Sequence, residues 1–126
     1  MRSHSGMETG KTGEKIAETF LRSRGFHIIG KNYRTPFGEI DLIGEHKGLT
    51  VFVEVKTRVS QKYDSPLSAI TWEKKRHIIK NCLYYMSRYN LHNTPCRIDV
   101  IAIKLNYERE LEILWHVRDS VCMEEY

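Results

Sequence analysis

The chain has no run approaching the ~20 consecutive apolar residues that a membrane span requires, so no transmembrane helix is expected. Cysteine is scarce: Cys82, Cys96 and Cys122 are odd in number and widely spaced. They make neither a disulfide framework nor a zinc knuckle, which points to a reducing cytoplasm. The N-terminal stretch MRSHSGMETGKTG lacks the apolar centre of a secretory signal, and residues 1–12 read as a flexible leader ahead of one domain over 13–126. No Gly-rich phosphate loop is present, because Gly10-Lys11-Thr12 has neither the upstream glycine nor a preceding strand. The histidines (His4, His27, His46, His77, His92, His116) do not pair around a glutamate as in a zinc protease, and no serine or cysteine stands in a nucleophile motif. Repeats and low-complexity tracts are absent.

With 126 residues, 40% of them hydrophobic, the chain suffices for one compact core and is too short for two. The net charge of +4 is unevenly spread. Lys56, Arg58, Lys62, Lys74, Lys75, Arg76 and Lys80 face only Asp64 and Glu73, whereas from Lys104 onward acidic residues dominate. Such a basic segment attracts phosphate, or is simply a solvated helix face.

The organising stretch is Gly38 to Arg58, GEIDLIGEHKGLTVFVEVKTR. Two β-rich runs flank Lys47-Gly48, which is a hairpin signal. A turn there sets residue 46 opposite 49, 43 opposite 52, 41 opposite 54 and 39 opposite 56. One face then carries Ile40, Leu42, Val51, Val53 and Val55; the other carries Ile43 and Phe52, then Asp41 facing Glu54 and Glu39 facing Lys56. Like charges directly opposite, with Cβ atoms about 4.5–5.5 Å apart, destabilise a sheet unless something compensates them. A divalent cation held by Asp41 and Glu54 is one compensation. A cross-strand network in which Lys56 neutralises Glu39 or Glu54 is the other.

Asp41 followed by Glu54-Val55-Lys56 resembles the D…ExK signature of the restriction-endonuclease-like superfamily. The ordered set Gly13-Glu14, Asn32-Tyr33-Arg34, Phe37 to Ile43, Val51 to Arg58, Ser65-Pro66, Ala69, Thr71, Lys74, Arg76 and Cys96 to Val100 is similar to the YraN-like family of predicted endonucleases, relatives of archaeal Holliday-junction resolvases. The match spans roughly residues 13 to 120; Ile40 stands where the superfamily has proline. The resemblance implies an α/β fold of order αβββαββ(α) with a mixed sheet flanked by helices. It also implies a Mg²⁺- or Mn²⁺-dependent deoxyribonuclease acting on branched or otherwise structured DNA, without a small-molecule cofactor. Asp41, Glu54 and the Val55 carbonyl would hold the ion, with Glu39 or Glu14 sharing a second, and Lys56 would orient the attacking water. Paired cuts in symmetric junctions imply a homodimer, although the sequence shows no clear interface.

In chain order, a helix is expected from Gly13 to Arg24, with Ile16, Ala17, Phe20 and Leu21 as its apolar stripe and Gly25 as its cap. Glu14 then sits in the first turn, where the helix dipole favours it, or by resemblance reaches the ion's water. A strand Phe26–Ile29, a turn at Gly30-Lys31-Asn32 and a segment Tyr33–Phe37 lead into the hairpin. Arg34 and Arg58 are candidate phosphate contacts, and Tyr33 is read as structural. Ser65-Pro66 and Thr71 offer helix starts, the latter opening a helix from Trp72 to Tyr89 with Ile78, Cys82, Tyr85 and Tyr89 buried and Ile79, Leu83 and Met86 widening the stripe. Those tyrosines read as core or dimer contacts. Lys74 and Arg76, at its start, are by resemblance backbone-phosphate contacts. A strand Cys96–Leu105 buried on both faces, a turn at 106–110, a strand Leu111–Val117 and a short helix from Arg118 complete the chain. Asp99 is read as a salt-bridge partner or an acid supporting the site from behind, and the structural role is preferred. The rival functions are a non-catalytic nucleic-acid-binding module and a protein-interaction domain using the acidic C-terminal half.

Overall fold

The computed structural model describes residues 2–59 and 71–121. Its elements run α1 (Arg2–Ser23), β1 (His27–Thr35), β2 (Gly38–His46), β3 (Leu49–Val59), α2 (Trp72–Arg88), β4 (Cys96–Leu105) and β5 (Leu111–Val121). The five strands form one mixed sheet in the order β1-β2-β3-β4-β5. Neighbours pair antiparallel except β3 and β4, which run parallel from Thr50↔Cys96 to Val59↔Leu105 and are joined through α2. This is the α/β order expected from the sequence, and β4 is buried almost throughout.

The helices divide the core. Ala17 and Leu21 of α1 pack with Leu42, Val51, Val53, Ile101 and Ile103, while Ile78, Ile79, Cys82 and Met86 of α2 pack with Ile40, Ile43, Phe52 and Ile98. At Gly13 α1 approaches β3 so closely that an added Cβ would lie 1.8 Å from Thr57 Oγ1. Only glycine fits there. Thr71 caps α2 by accepting from the Lys74 N–H at 3.2 Å. The Lys47-Gly48 turn has positive φ at both residues, 53° and 78°, the backbone twist that tight hairpins require.

Five expectations are corrected. The first helix starts at Arg2 rather than Gly13 and takes in most of the stretch expected as a leader. No proline interrupts it, and extending an anchored helix costs less than nucleating one. The turn at Gly30-Lys31-Asn32 is instead an irregular part of β1, with a register shift between Ile28 and Gly30 and Asn32 at φ 49°. Ile40 joins the α2 side with Ile43 and Phe52, so the in–out alternation of β2 skips at Asp41. Leu83 lies outside the buried stripe of α2 at 41% exposure, as does Tyr89. The residues from Arg118 to Val121 are strand, because Val121 pairs with Ile98 and the Asp119 N–H donates to Asp99. Ser65-Pro66 and Cys122 lie outside the described residues.

Candidate metal and phosphate site

The β2–β3 register is the expected one wherever the strands pair, from His46↔Leu49 to Leu42↔Val53. There the ladder stops. Beyond it β2 stays with β1 as far as Thr35↔Gly38, and β3 stays with β4. The two strands part where the acidic residues begin. Asp41 spans the opening: its Oδ2 accepts from the Val55 N–H at 2.8 Å, replacing a ladder bond with a side-chain one. In an extended strand the N–H and C=O of one residue point the same way, so the Val55 carbonyl faces the same opening.

Asp41 is part-buried, and its carboxyl is pushed up to about 8, first by desolvation and then by the nearby charge of Glu54, with Glu14 and Glu39 adding to it. Burial also raises Glu54, against the opposing pull of Lys56. Lys56 Nζ stands 3.7 Å from Glu54 Oε1. Of the expected pairs, Asp41 and Glu54 stay neighbours, whereas Glu39–Lys56 does not form: the ammonium goes to Glu54, the other partner expected for it, and Glu39 turns to Asn32. The Asn32 Nδ2 donates to Glu39 Oε1 at 3.0 Å and to Glu14 Oε1 at 2.7 Å. Since α1 begins at Arg2, Glu14 lies in the helix interior and its first-turn dipole role falls away.

Among the described residues, no group of three or more His, Cys, Asp and Glu side chains forms a metal cage. What Asp41 and Glu54 offer is a pair of hard oxygen donors beside the Val55 carbonyl. That donor set suits Mg²⁺ or Mn²⁺, since magnesium takes one or two carboxylates and completes its shell with water and phosphate oxygens. A hollow of about 420 Å³ is lined by Glu14, Val55, Lys56, Thr57 and Arg109 among others, though by neither Asp41 nor Glu54.

Lys74, at the start of α2, is exposed and its charge reaches Glu54. Arg76 is turned to a separate hollow with Glu73, His77 and Lys80. Arg34 and Arg58 are exposed on β1 and at the end of β3. Tyr33 packs edge-on against Tyr85, ring centroids 5.0 Å apart, in an aromatic group with Tyr89 and Phe52. Asp99 is fully buried and binds Arg97 Nε at 2.9 Å, His116 Nε2 at 2.8 Å and the Asp119 N–H at 2.9 Å, which makes it structural.

Two residues escaped the sequence reading. Asn32 could have been found by treating β1 as continuous, since Lys31↔Leu42 and Tyr33↔Ile40 set it across from Asp41. Asn81, buried on α2, accepts from the Thr35 hydroxyl and donates to the Glu39 carbonyl at 3.4 Å, fixing the start of β2. A lone polar residue in an apolar stripe was its only signal.

Comparisons with known proteins bear on the whole chain. A UPF0102 protein of Clostridioides difficile (strain 630) is 42% identical over 102 residues, covering 81% of this chain and 90% of that protein. One from Thermodesulfovibrio yellowstonii is 43% identical over 97 residues, covering 77% and 86%. One from Chlorobium chlorochromatii is 36% identical over 126 residues, covering 97% of each. A solved structure of SfsA from Pyrococcus furiosus in complex with Ca²⁺ aligns at 20% identity and TM-score 0.42, covering 93% of this chain and 65% of that one. The family model described as "Uncharacterised protein family UPF0102" matches residues 13–103, and the chain belongs to that family.

Proposed function

We propose that this protein is a metal-dependent endonuclease that hydrolyses phosphodiester bonds in DNA, with branched or structured DNA as the substrate class. One observation carries this reading: β2 and β3 part just where Asp41 and Glu54 meet, with the Lys56 ammonium alongside. Two adjoining carboxylates, when both are charged, destabilise a sheet unless something compensates them.

Asp41, Glu54 and the Val55 carbonyl would hold Mg²⁺ or Mn²⁺, with Glu39 or Glu14 available to a second ion. When bound, such an ion lowers the pKa of water and neutralises charge on the scissile phosphate. Lys56 orients the attacking water and stabilises the charge developing on the phosphoryl oxygens. The Val55 N–H holds the Asp41 carboxylate at the opening by one of its oxygens. Lys74, Arg34, Arg58 and Arg76 bind backbone phosphates away from the reacting centre, which positions the strand without reading its sequence. In-line attack leaves a 5′-phosphate, and a homodimer would cut both strands of a symmetric junction.

The test is a panel of linear, flap and four-way DNA incubated with Mg²⁺ or Mn²⁺, using wild type, Asp41→Asn and Lys56→Ala. Cleavage by wild type that disappears in both variants supports the reading. Cleavage surviving both belongs to a contaminant, and salt-dependent binding without any cutting favours a nucleic-acid-binding module.

A further inference from the structure

Asn32 occupies a position that the preceding mechanism does not use. It lies on β1 between Lys31, paired with Leu42, and Tyr33, paired with Ile40, and therefore directly beside Asp41. Its side-chain nitrogen makes two hydrogen bonds to carboxylates from different elements, Glu14 of α1 and Glu39 of β2. A primary amide carries two N–H donors and no charge. It can therefore draw two carboxylates together while leaving their negative charge intact. A lysine would cancel that charge, and a serine could serve only one partner.

The arrangement of the partners is also built. Gly13 lets α1 close onto β3 at Thr57 and so sets the height of Glu14, the next residue. Asn81 holds the main chain of Glu39 from the other side of the sheet. Two carboxylates are thus brought in by separate scaffolds and joined by one neutral bridge next to Asp41. An asparagine chosen only for its backbone would need neither bond. Its φ of 49° is a left-handed conformation that asparagine and glycine tolerate better than other residues. That conformational reading is the competing explanation.

We propose that Asn32 is a positioning residue: its amide clamps the Glu14 and Glu39 carboxylates beside the Asp41–Glu54 pair and thereby sets the affinity of the site for a divalent cation. This rests on the metal-dependent reading given above. Asn32 touches neither the ion nor the substrate; it acts through the two glutamates.

The test uses the full chain and Mn²⁺ alone, with binding read by electron paramagnetic resonance of free Mn²⁺ and by calorimetry. Asn32→Gly keeps the left-handed backbone and deletes the amide. The expected result is a loss of Mn²⁺ affinity of about tenfold, the range for residues that orient metal-site groups, with unchanged thermal unfolding of the metal-free protein. In a cycle with Glu14→Gln the two losses should be less than additive, because both remove the same clamp. In cleavage assays the half-saturating Mn²⁺ concentration should rise while the rate at saturating Mn²⁺ changes far less. A purely conformational role predicts wild-type Mn²⁺ affinity in Asn32→Gly, and that result overturns the proposal while leaving the metal site standing. Wild-type protein that binds no Mn²⁺ overturns both. If Asn32→Gly unfolds, Asn32→Asp, which also tolerates the backbone but repels both glutamates, replaces it; Glu14 and Glu39 acting unclamped would then show additive losses with Glu14→Gln.

Discussion

Two aspartates on the same sheet, one fully buried and one part-buried, have opposite fates. Asp99 on β4 is enclosed by Arg97, His116 and the Asp119 N–H. Burial alone would raise its carboxyl, but those hydrogen bonds together hold it below the usual carboxylate value. Asp41 on β2 has one backbone donor and three acidic neighbours, and desolvation pushes it far upward. The first is a finished structural network, in which every acceptor has a donor. The second lacks positive charge that the fold could have supplied and did not, since Lys56 goes to Glu54. A buried carboxylate left short of cations is costly unless something else binds there, which is why perturbed acids gather at functional sites.

Removing each acid should break this contrast in opposite directions. Asp99→Ala strands Arg97 and leaves His116 and the Asp119 N–H without their acceptor, and losing one partner of a buried pair costs about 3–5 kcal/mol. Urea denaturation should show that loss. Asp41→Asn keeps an acceptor for the Val55 N–H and removes the repulsion with Glu54, so its metal-free stability should equal or exceed that of wild type while cleavage is lost. Equal destabilisation by both substitutions would erase the distinction between a structural and a functional acid.

The same contrast has a pH signature. Asp41 has a folded pKa raised from 3.8 to about 8, so its contribution to stability is whole below the lower value and is lost as pH rises toward the upper one. Asp99 has a lowered folded pKa, so its contribution is whole above 3.8 and is lost as the solution is acidified through the folded value. In a chelator, stability should therefore decline from mildly acidic to mildly alkaline pH, with a slope of at most about 1.4 kcal/mol per pH unit for one proton. Asp41→Asn should flatten that limb, and Asp99→Asn should flatten only the acid limb. Mn²⁺ should restore stability on the alkaline side of wild type alone. A profile unchanged by Asp41→Asn would show that its carboxyl titrates as in the unfolded chain.

The order of elements along the chain, the hairpin register and most of the two apolar helix stripes were legible in the sequence because each follows from a local rule: period, turn chemistry or capping. The acidic pair was legible for the same reason, since Lys47-Gly48 fixes which residues face each other. What the sequence hid was where pairing ends. Nothing in GEIDLIGE announces that the β2–β3 ladder stops at Leu42, because this depends on β3 following β4 and β2 following β1. Ile40 changed sides and Glu39 lost Lys56 to Glu54 through that one departure. Asn32 was hidden by its own irregular backbone, which looks like a turn in sequence and is strand in the fold.

The smallest expected effect concerns how α1 delivers Glu14 to the acidic end, with no counterpart at Asp99. Gly13→Ala places a methyl 1.8 Å from Thr57 Oγ1 and 2.8 Å from Thr57 Cβ, so helix and strand must separate. Overpacking of this kind costs about 1–3 kcal/mol, which thermal unfolding will register. Thr57→Ala in the same chain removes the hydroxyl but not the Cβ, so it should recover only part of the loss. The displaced helix carries Glu14 away from Asn32, and Mn²⁺ affinity should fall in Gly13→Ala even under conditions where the protein is fully folded. The network around Asp99 receives no residue from that turn of α1, so the acid limb of the pH profile should not move. If it does, the two regions are mechanically one, and the sharp division between a finished and an unfinished carboxylate would have to be given up.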